Sequence, residues 1–474
     1  MDPRFLPHNT HLEIPQQFSM RDPQLRQLKT QKYVYRSKLL DQFPFNTPGI
    51  YTLGGGRQIG KSTLLKQWML ELLAKKVAPP AIAFFTGELI NDHHALLNLV
   101  QTELEAMPDH NVHYIIIDEI TYIKDWDKTI KYLADAGLLE KTILMLTGSD
   151  LNLIQEARMR FPGRRGKASL VNFHLFPLSF QEVVLLKNKI PEINTVLHSK
   201  HFPSPTVIDA LFSEFEDYLK HGGFLTAIND LALDGTILKA TLTTYSDWIR
   251  GDMLKRGKQE HFCREILTAI IKRYNTQITW NSLVQDLSID HPKTIADYAG
   301  VLESMDALFI QPVLLEDKLV AAPKKGKKMV FTDPFIFHAL RTWLFPVENA
   351  YENQIITALN NPELCSLLVE ACVSTHYRRY YPTYYIKAEG EVDVVYVDHG
   401  RFWPIEVKWT NQLRPKDIKQ ILKYPNGRIF SKNKHLSKLE TTPIEPLPLA
   451  LFNLPSPGAS RHTLSFHGRG DSQS

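Results

Sequence analysis

The residues best equipped for chemistry are consecutive: Gly54-Gly55-Gly56-Arg57-Gln58-Ile59-Gly60-Lys61-Ser62-Thr63. Glycines at 55, 56 and 60 let the backbone curl with its N–H groups turned inward around an anion. The Lys61 ammonium would reach β- and γ-phosphates, and the Ser62 hydroxyl would take one Mg²⁺ position. With Arg57, Gln58, Ile59 and Thr63 completing the loop, the stretch is expected to hold ATP. The pattern G-x4-G-K-[ST] should arise by accident in only roughly one unrelated chain in fifty of this length. Its flanks lower that further, because Ile50-Tyr51-Thr52-Leu53 has strand composition and the residues from Leu64 onward have helical apolar spacing.

A second pair of chemical groups ends an apolar run, Val112-His113-Tyr114-Ile115-Ile116-Ile117-Asp118-Glu119-Ile120. Such a run is typical of a central parallel strand covered on both faces. An acid at its tip lies beside the phosphate loop, so Asp118 is expected to hold Mg²⁺ through water and Glu119 to orient or deprotonate the attacking water. The bland alternative is that both acids cap the following helix. A further apolar run, Thr142 to Ser149, ends in Thr147-Gly148-Ser149, where Thr147 or Ser149, and by preference Ser149, could sense the γ-phosphate. Strands and helices alternating at these lengths predict a doubly wound α/β domain.

A third group lies far downstream. The segments Glu391–Val397 and Phe402–Trp409 read as strands joined by a tight turn at Asp398-His399-Gly400-Arg401. Because side chains alternate along a strand, Glu406 and Lys408 share a face, and Asp393 on the partner strand can converge on them.

Two resemblances follow from these residues. Gly56-Arg57-Gln58-Ile59-Gly60-Lys61-Ser62-Thr63, Asp118-Glu119, Leu146-Thr147-Gly148-Ser149, Pro162-Gly163-Arg164 and Phe176-Pro177-Leu178-Ser179-Phe180-Gln181-Glu182 together resemble prokaryotic AAA-type ATPases with a C-terminal domain of unknown function. The likeness departs from the usual pattern at Gly56, where proline is common, and at Ser62, where threonine is common. It implies ATP hydrolysis with Mg²⁺, and a homo-oligomer with ATP sites near subunit interfaces. It also implies an arginine reaching a neighbour's site, the matching position being Arg164, with Arg160 and Arg165 close by. The downstream group resembles the PD-(D/E)XK nuclease core, with Glu370 matching an acid on the preceding helix. That likeness implies Mg²⁺ held by Asp393 and Glu406, Lys408 stabilising charge or activating water, and Glu370 adding a ligand or orienting the water.

The expected architecture is therefore α/β: an AAA-type P-loop NTPase core with a helical lid, a winged-helix domain and a C-terminal α/β PD-(D/E)XK-like domain. In order, residues 1–30 read as a flexible lead-in, 31–204 as the ATPase core and 205–258 as a helical lid and connector. Residues 259–345 read as a winged helix, 346–454 as the nuclease-like domain and 455–474 as a disordered tail. Within the winged helix, Lys324-Lys325-Gly326-Lys327-Lys328 reads as a basic turn that could lie against phosphates. The expected function is an ATPase coupled to a DNA-directed, metal-dependent nuclease. The alternative is a nucleotide-switched DNA- or protein-binding regulator whose nuclease-like domain is inert.

Composition frames this reading. The 474 residues are 43% hydrophobic and 22% charged with a net charge of +4, which is ordinary for a soluble protein and too mild to prove a polyanion partner. Cys263, Cys365 and Cys372 show no metal-type spacing, so a reducing compartment is expected, and with neither a signal peptide nor a span-length apolar stretch the expected location is the cytoplasm.

Overall fold

Ile50 to Leu53 form the centre of a strand, β1 (Gly49–Gly54), that is buried along its whole length. In this computed structural model the described residues are 1–108, 112–149, 161, 163–198, 202–285, 287–410, 414 and 418–454. They form two compact units, one of Met1–Phe176 with Ser304–Asp306 and one of Pro177–Glu303 with the chain from Ala307 onward. Among the described residues no helix is long and apolar enough to cross a membrane.

In the first unit β1 lies in a five-stranded parallel sheet with β2 (Ile82–Thr86), β3 (His113–Asp118), β4 (Thr142–Thr147) and β5 (Asn172–His174). The order is β2-β3-β4-β1-β5, so β4 separates the phosphate loop's strand from the strand carrying Asp118. Helix α1 (Lys61–Ala74) starts after Gly60, whose left-handed φ of +95° turns the loop into the helix. It buries Leu64, Leu65, Trp68, Met69 and Leu72, the one-face spacing of a helix laid on a sheet. Helices α2 (His93–Ala106) and α3 (Trp126–Asp135) follow β2 and β3.

The first thirty residues correct the expectation of a flexible lead-in. They fold into short helical turns packed on the sheet, with Phe5 and Phe18 fully buried. The Asn9 side-chain amide donates to the Phe84 carbonyl and its oxygen accepts from the Phe84 N–H, both at 2.8 Å, so it pairs with β2 as a neighbouring strand would. That covers the sheet's edge. Asp22 caps the short helix Pro23–Leu28 through the N–H groups of Gln24 and Leu25. It also pairs with Lys66 of α1 at 3.2 Å, both side chains being almost wholly buried. Between Tyr33 and Gln42 the chain makes a single 3-10 turn, Lys38–Gln42.

The second unit begins with α4 (Phe180–Lys187), closed at its start by a Ser179–Glu182 capping box, then α5 (Pro205–His221), α6 (Leu225–Asp234) and α7 (Lys239–Lys255). Three helices follow, α8 (Glu260–Lys272), α9 (Trp280–Val284) and α10 (Pro292–Ser304). Strands β6 (Leu308–Pro312) and β7 (Lys327–Phe331) then pair antiparallel, and α11 (Pro334–Leu344) and α12 (Pro362–Arg378) lead to a mixed six-stranded sheet. Its strands are β8 (Thr383–Lys387), β9 (Glu391–Asp398), β10 (Arg401–Lys408), β11 (Arg428–Ser431), β12 (Ser437–Leu439) and β13 (Thr442–Pro446), in the order β8-β9-β10-β11-β13-β12. The β9–β10 hairpin turns at His399 and Gly400, both with positive φ, as the Asp-His-Gly composition suggested.

The basic turn needs a correction. Lys324 and Lys325 are exposed, but Lys328 lies in β7 at 2% exposure with its ammonium 2.6 Å from Glu391 of β9. A charge run reads as a solvated tip, yet the strand is buried from Lys328 to Phe331 and takes this one lysine in with it. Pro162, Arg160, Pro415 and the tail from 455 lie outside the described residues.

Candidate nucleotide site

The loop between β1 and α1 places every residue of the phosphate-binding pattern at one end of the parallel sheet. A Cβ on Gly55 would stand 2.5 Å from the Leu175 carbonyl oxygen, so only glycine lets the loop pass β5 this closely. The Lys61 ammonium donates to the carbonyls of Gly55 (3.0 Å) and Gly56 (2.8 Å), which curls the loop over its own lysine. At 5% exposure Lys61 is buried, and burial lowers its pKa while the carboxylates of Glu119 and Asp118 oppose that.

Asp118, at the tip of β3, accepts from two hydroxyls, Ser62 on one oxygen and Thr147 on the other, each at 2.5 Å. Thr147 Oγ1 accepts in turn from the Glu119 N–H at 2.9 Å. Glu119 has a left-handed backbone with φ +53°, a conformation that costs an ordinary residue about 1–3 kcal/mol and collects at functional sites. Its carboxylate lies 3.7 Å from the Lys61 ammonium and accepts from Ser149 Oγ at 3.2 Å. Thus the loop of β1, the acids of β3 and the hydroxyls of β4 meet, although they are scattered over about a hundred residues of sequence.

The cleft they form is lined by Arg57, Gln58, Gly60, Lys61, Ser62 and Thr63 of the loop, by Asp118 and Glu119, and by Thr86 and Glu88 after β2. His8, Gln24 and Gln27 of the first thirty residues also line it. The sequence reading missed that wall. The Asp22-Pro23 pair, a helix start, was its one local signal. Ser62 and Asp118 offer adjacent hard oxygens, the donor set that suits Mg²⁺. Arg164 is not among the lining residues; its guanidinium pairs with Asp135 at the end of α3.

In the second unit Lys408 approaches Glu406 at 2.5 Å and Asp393 at 3.9 Å, and Asp393 accepts from the Val407 N–H at 2.8 Å. The hairpin therefore brings these three together. Glu406 Oε2 is buried with no hydrogen-bond partner. Glu370 on α12 is half-buried with Asn275 3.2 Å from one oxygen; desolvation, and then the Asp393 charge, push its pKa up to about 8. Lys328 joins the cluster from β7: burial pulls its pKa down, but Glu370, Asp393 and Glu391 outweigh that and the net direction is up. Gln311 of β6 adds a hydrogen bond to the Asp393 carbonyl at 3.1 Å. Among the described residues no group of three or more His, Cys, Asp or Glu is disposed to hold a metal ion.

The first cleft is that of a P-loop nucleotide-binding domain, with loop, lysine, strand-tip acid and hydroxyls in mutual contact. Residues 47–184 match the model of a family described as AAA domain, and residues 366–444 match that of a domain of unknown function, DUF4143. With the cleft, the first match supports an AAA-type P-loop ATPase domain over these residues. An uncharacterized protein of Haemophilus influenzae is 27% identical over 274 residues, covering 55% of this chain and 61% of that protein. One of Methanocaldococcus jannaschii is 25% identical over 231 residues, covering 41% and 48%. The matches thus span about half to three-fifths of these relatives' own length. Among solved structures, a Walker-type ATPase of Pyrococcus abyssi is 16% identical at a TM-score of 0.40, covering 62% of this chain and 91% of that one. The ORC1 protein of Aeropyrum pernix, solved in complex with DNA, is 10% identical at a TM-score of 0.31, covering 72% and 94%.

Proposed function

We propose that the protein hydrolyses ATP with Mg²⁺ in the cleft of its first unit and uses the nucleotide state to control its second unit, a nucleic-acid-directed module. The observation that carries the first part is the convergence of Lys61, Ser62, Asp118 and Glu119 on one cleft. Ser62 and Asp118 would hold the metal, which supplies charge neutralisation at the phosphates. Lys61 binds the terminal phosphates, Thr147 fixes both Asp118 and the Glu119 backbone, and Glu119 orients water and takes its proton. Glu119→Gln tests this, since it should retain ATP binding and lose turnover; normal turnover would remove Glu119 from the mechanism.

For the second unit, α8, α9 and α10 followed by the β6–β7 hairpin support a winged-helix reading, and exposed Lys324 and Lys325 support contact with phosphates. Lys328 and Lys408 already neutralise acids in the Glu370–Asp393–Glu406 cluster, which favours a binding module over a cutting one. The second reading, a metal-dependent nuclease using Asp393, Glu406 and Lys408 with Glu370, is favoured by the unpartnered buried oxygen of Glu406. Incubating supercoiled, linear and single-stranded DNA with the protein and Mg²⁺ or Mn²⁺ separates them. Nicking abolished by Asp393→Ala establishes the nuclease, whereas salt-sensitive binding without nicking establishes the binding module.

A further inference from the structure

The cleft holds two cationic side chains from the same loop, and only Lys61 has a role in the mechanism above. The other is Arg57. Its Nε lies 3.4 Å from Ser149 Oγ, the hydroxyl that donates to Glu119. Its terminal nitrogen hydrogen-bonds the Tyr122 hydroxyl, and its guanidinium carbon stands 5.4 Å from the Tyr122 ring centroid. Arg57 is close enough to Lys61 for its charge to lower the lysine's pKa. A chain of polar contacts therefore runs Arg57–Ser149–Glu119–Lys61 around the side of the cleft where the water-orienting carboxylate sits.

We propose that Arg57 is a catalytic arginine supplied by the phosphate loop to its own site, and that Ser149 reports its position to Glu119. This rests on the ATPase reading and extends it. Two positive charges side by side in a cleft call for an anion, and a triphosphate brings more negative charge than Lys61 balances alone. Tyr122 offers Arg57 a hydroxyl and a π face, neither of which carries a charge. A phosphoryl oxygen gives a charge-assisted bond that is stronger, so the guanidinium moves from Tyr122 and Ser149 onto the terminal phosphate. Ser149 then keeps Glu119 as its partner. In the reaction the water oxygen bonds to the γ-phosphorus and the bond from that phosphorus to the bridging oxygen breaks. The electron pair leaves with ADP, the water's proton passes to Glu119, and Arg57 stays protonated, stabilising the charge that builds on the transferred group. No second copy of the chain is then needed to complete the site.

The test uses the full chain. Steady-state ATP turnover is measured for wild type, Lys61→Ala, Arg57→Ala, Arg57→Lys and Arg164→Ala, with fluorescent ADP binding measured alongside. Arg57→Ala should lower kcat by about a thousandfold or more, within the range seen for arginines acting on a transferring phosphoryl group. It should change ADP affinity only slightly, and free guanidinium in solution should restore part of the lost rate. Arg57→Lys should fall between. Turnover per chain should stay constant over a hundredfold dilution, and Arg164→Ala should match wild type. Normal kcat in Arg57→Ala overturns the proposal, and so does loss of ADP binding in it, which would mark a collapsed loop. Activity that falls on dilution and vanishes in Arg164→Ala overturns it as well, by putting the arginine in trans. If wild type itself fails to hydrolyse ATP, or matches Lys61→Ala, the ATPase reading falls instead.

Discussion

Lys328 offers a quantitative test of how the second unit is built. Replacing it with methionine keeps the apolar stem and most of the volume, and removes one charge. In the folded protein that charge is 2.6 Å from Glu391 and close to Glu370 and Asp393, in a place where the lysine is 2% exposed. Breaking a fully buried pair costs about 3–5 kcal/mol; Glu391 is 29% exposed and keeps Lys387 at 3.5 Å, so the cost here is about 2–3 kcal/mol. Here the loss also withdraws a neutralising charge from Glu370, whose pKa is already up to about 8. For a unit of this size that predicts a fall in Tm of roughly 5 °C. Scanning calorimetry on wild type, Lys328→Met, Glu391→Gln and the double variant gives the coupling directly. Lys324→Met and Lys325→Met are the controls, because both side chains are exposed and each should lie within about 0.5 kcal/mol of wild type. A Lys328→Met protein as stable as those controls would refute the buried placement and with it the charge balance argued for the cluster.

Other expectations are independent of that one. Burial lowers the pKa of His338 to about 4 and of His376 to about 3, so each is neutral when folded and charges more readily when unfolded. Their contribution is present above pH 6.5 and is lost as pH falls below it, by about 2 kcal/mol each at pH 5; urea melts from pH 7.5 to 5 should show this, and a flat profile contradicts it. Asp22→Ala removes a helix cap and leaves the Lys66 ammonium buried without its carboxylate, at a cost of about 3 kcal/mol or more. Limited proteolysis should then cut within the first thirty residues and the KM for ATP should rise, because His8, Gln24 and Gln27 line the cleft. Gly55→Ala should abolish nucleotide binding while the second unit melts normally, since the new Cβ meets backbone rather than a yielding side chain.

What could be read from the sequence followed how local each signal was. The phosphate loop is ten consecutive residues, and Asp118 and Glu119 directly end an apolar run; both needed only composition and period. The β9–β10 hairpin was legible for the same reason, because alternation on two adjacent strands is enough to bring Asp393, Glu406 and Lys408 together. Asn9 and Asp22 find their partners at Phe84 and Lys66, far along the chain, and their own neighbourhood is rich in Pro, Gln and charge. Nothing there distinguishes an ordered cover from a loose end. Lys328 was hidden by its company, four lysines around one glycine. Its register opposite Gln311, itself fully buried, was the clue that only the folded strand pair makes visible.

The central claim is that one cleft closes on a triphosphate through Lys61 while Ser62 and Asp118 hold its metal. Titrating ATP into the full chain by calorimetry, with and without Mg²⁺, tests this most directly when wild type, Lys61→Ala and Ser62→Ala are compared. The account predicts that Mg²⁺ tightens wild-type binding, that Ser62→Ala loses that gain, and that Lys61→Ala loses binding under both conditions. A Lys61→Ala protein that binds MgATP as tightly as wild type would contradict it.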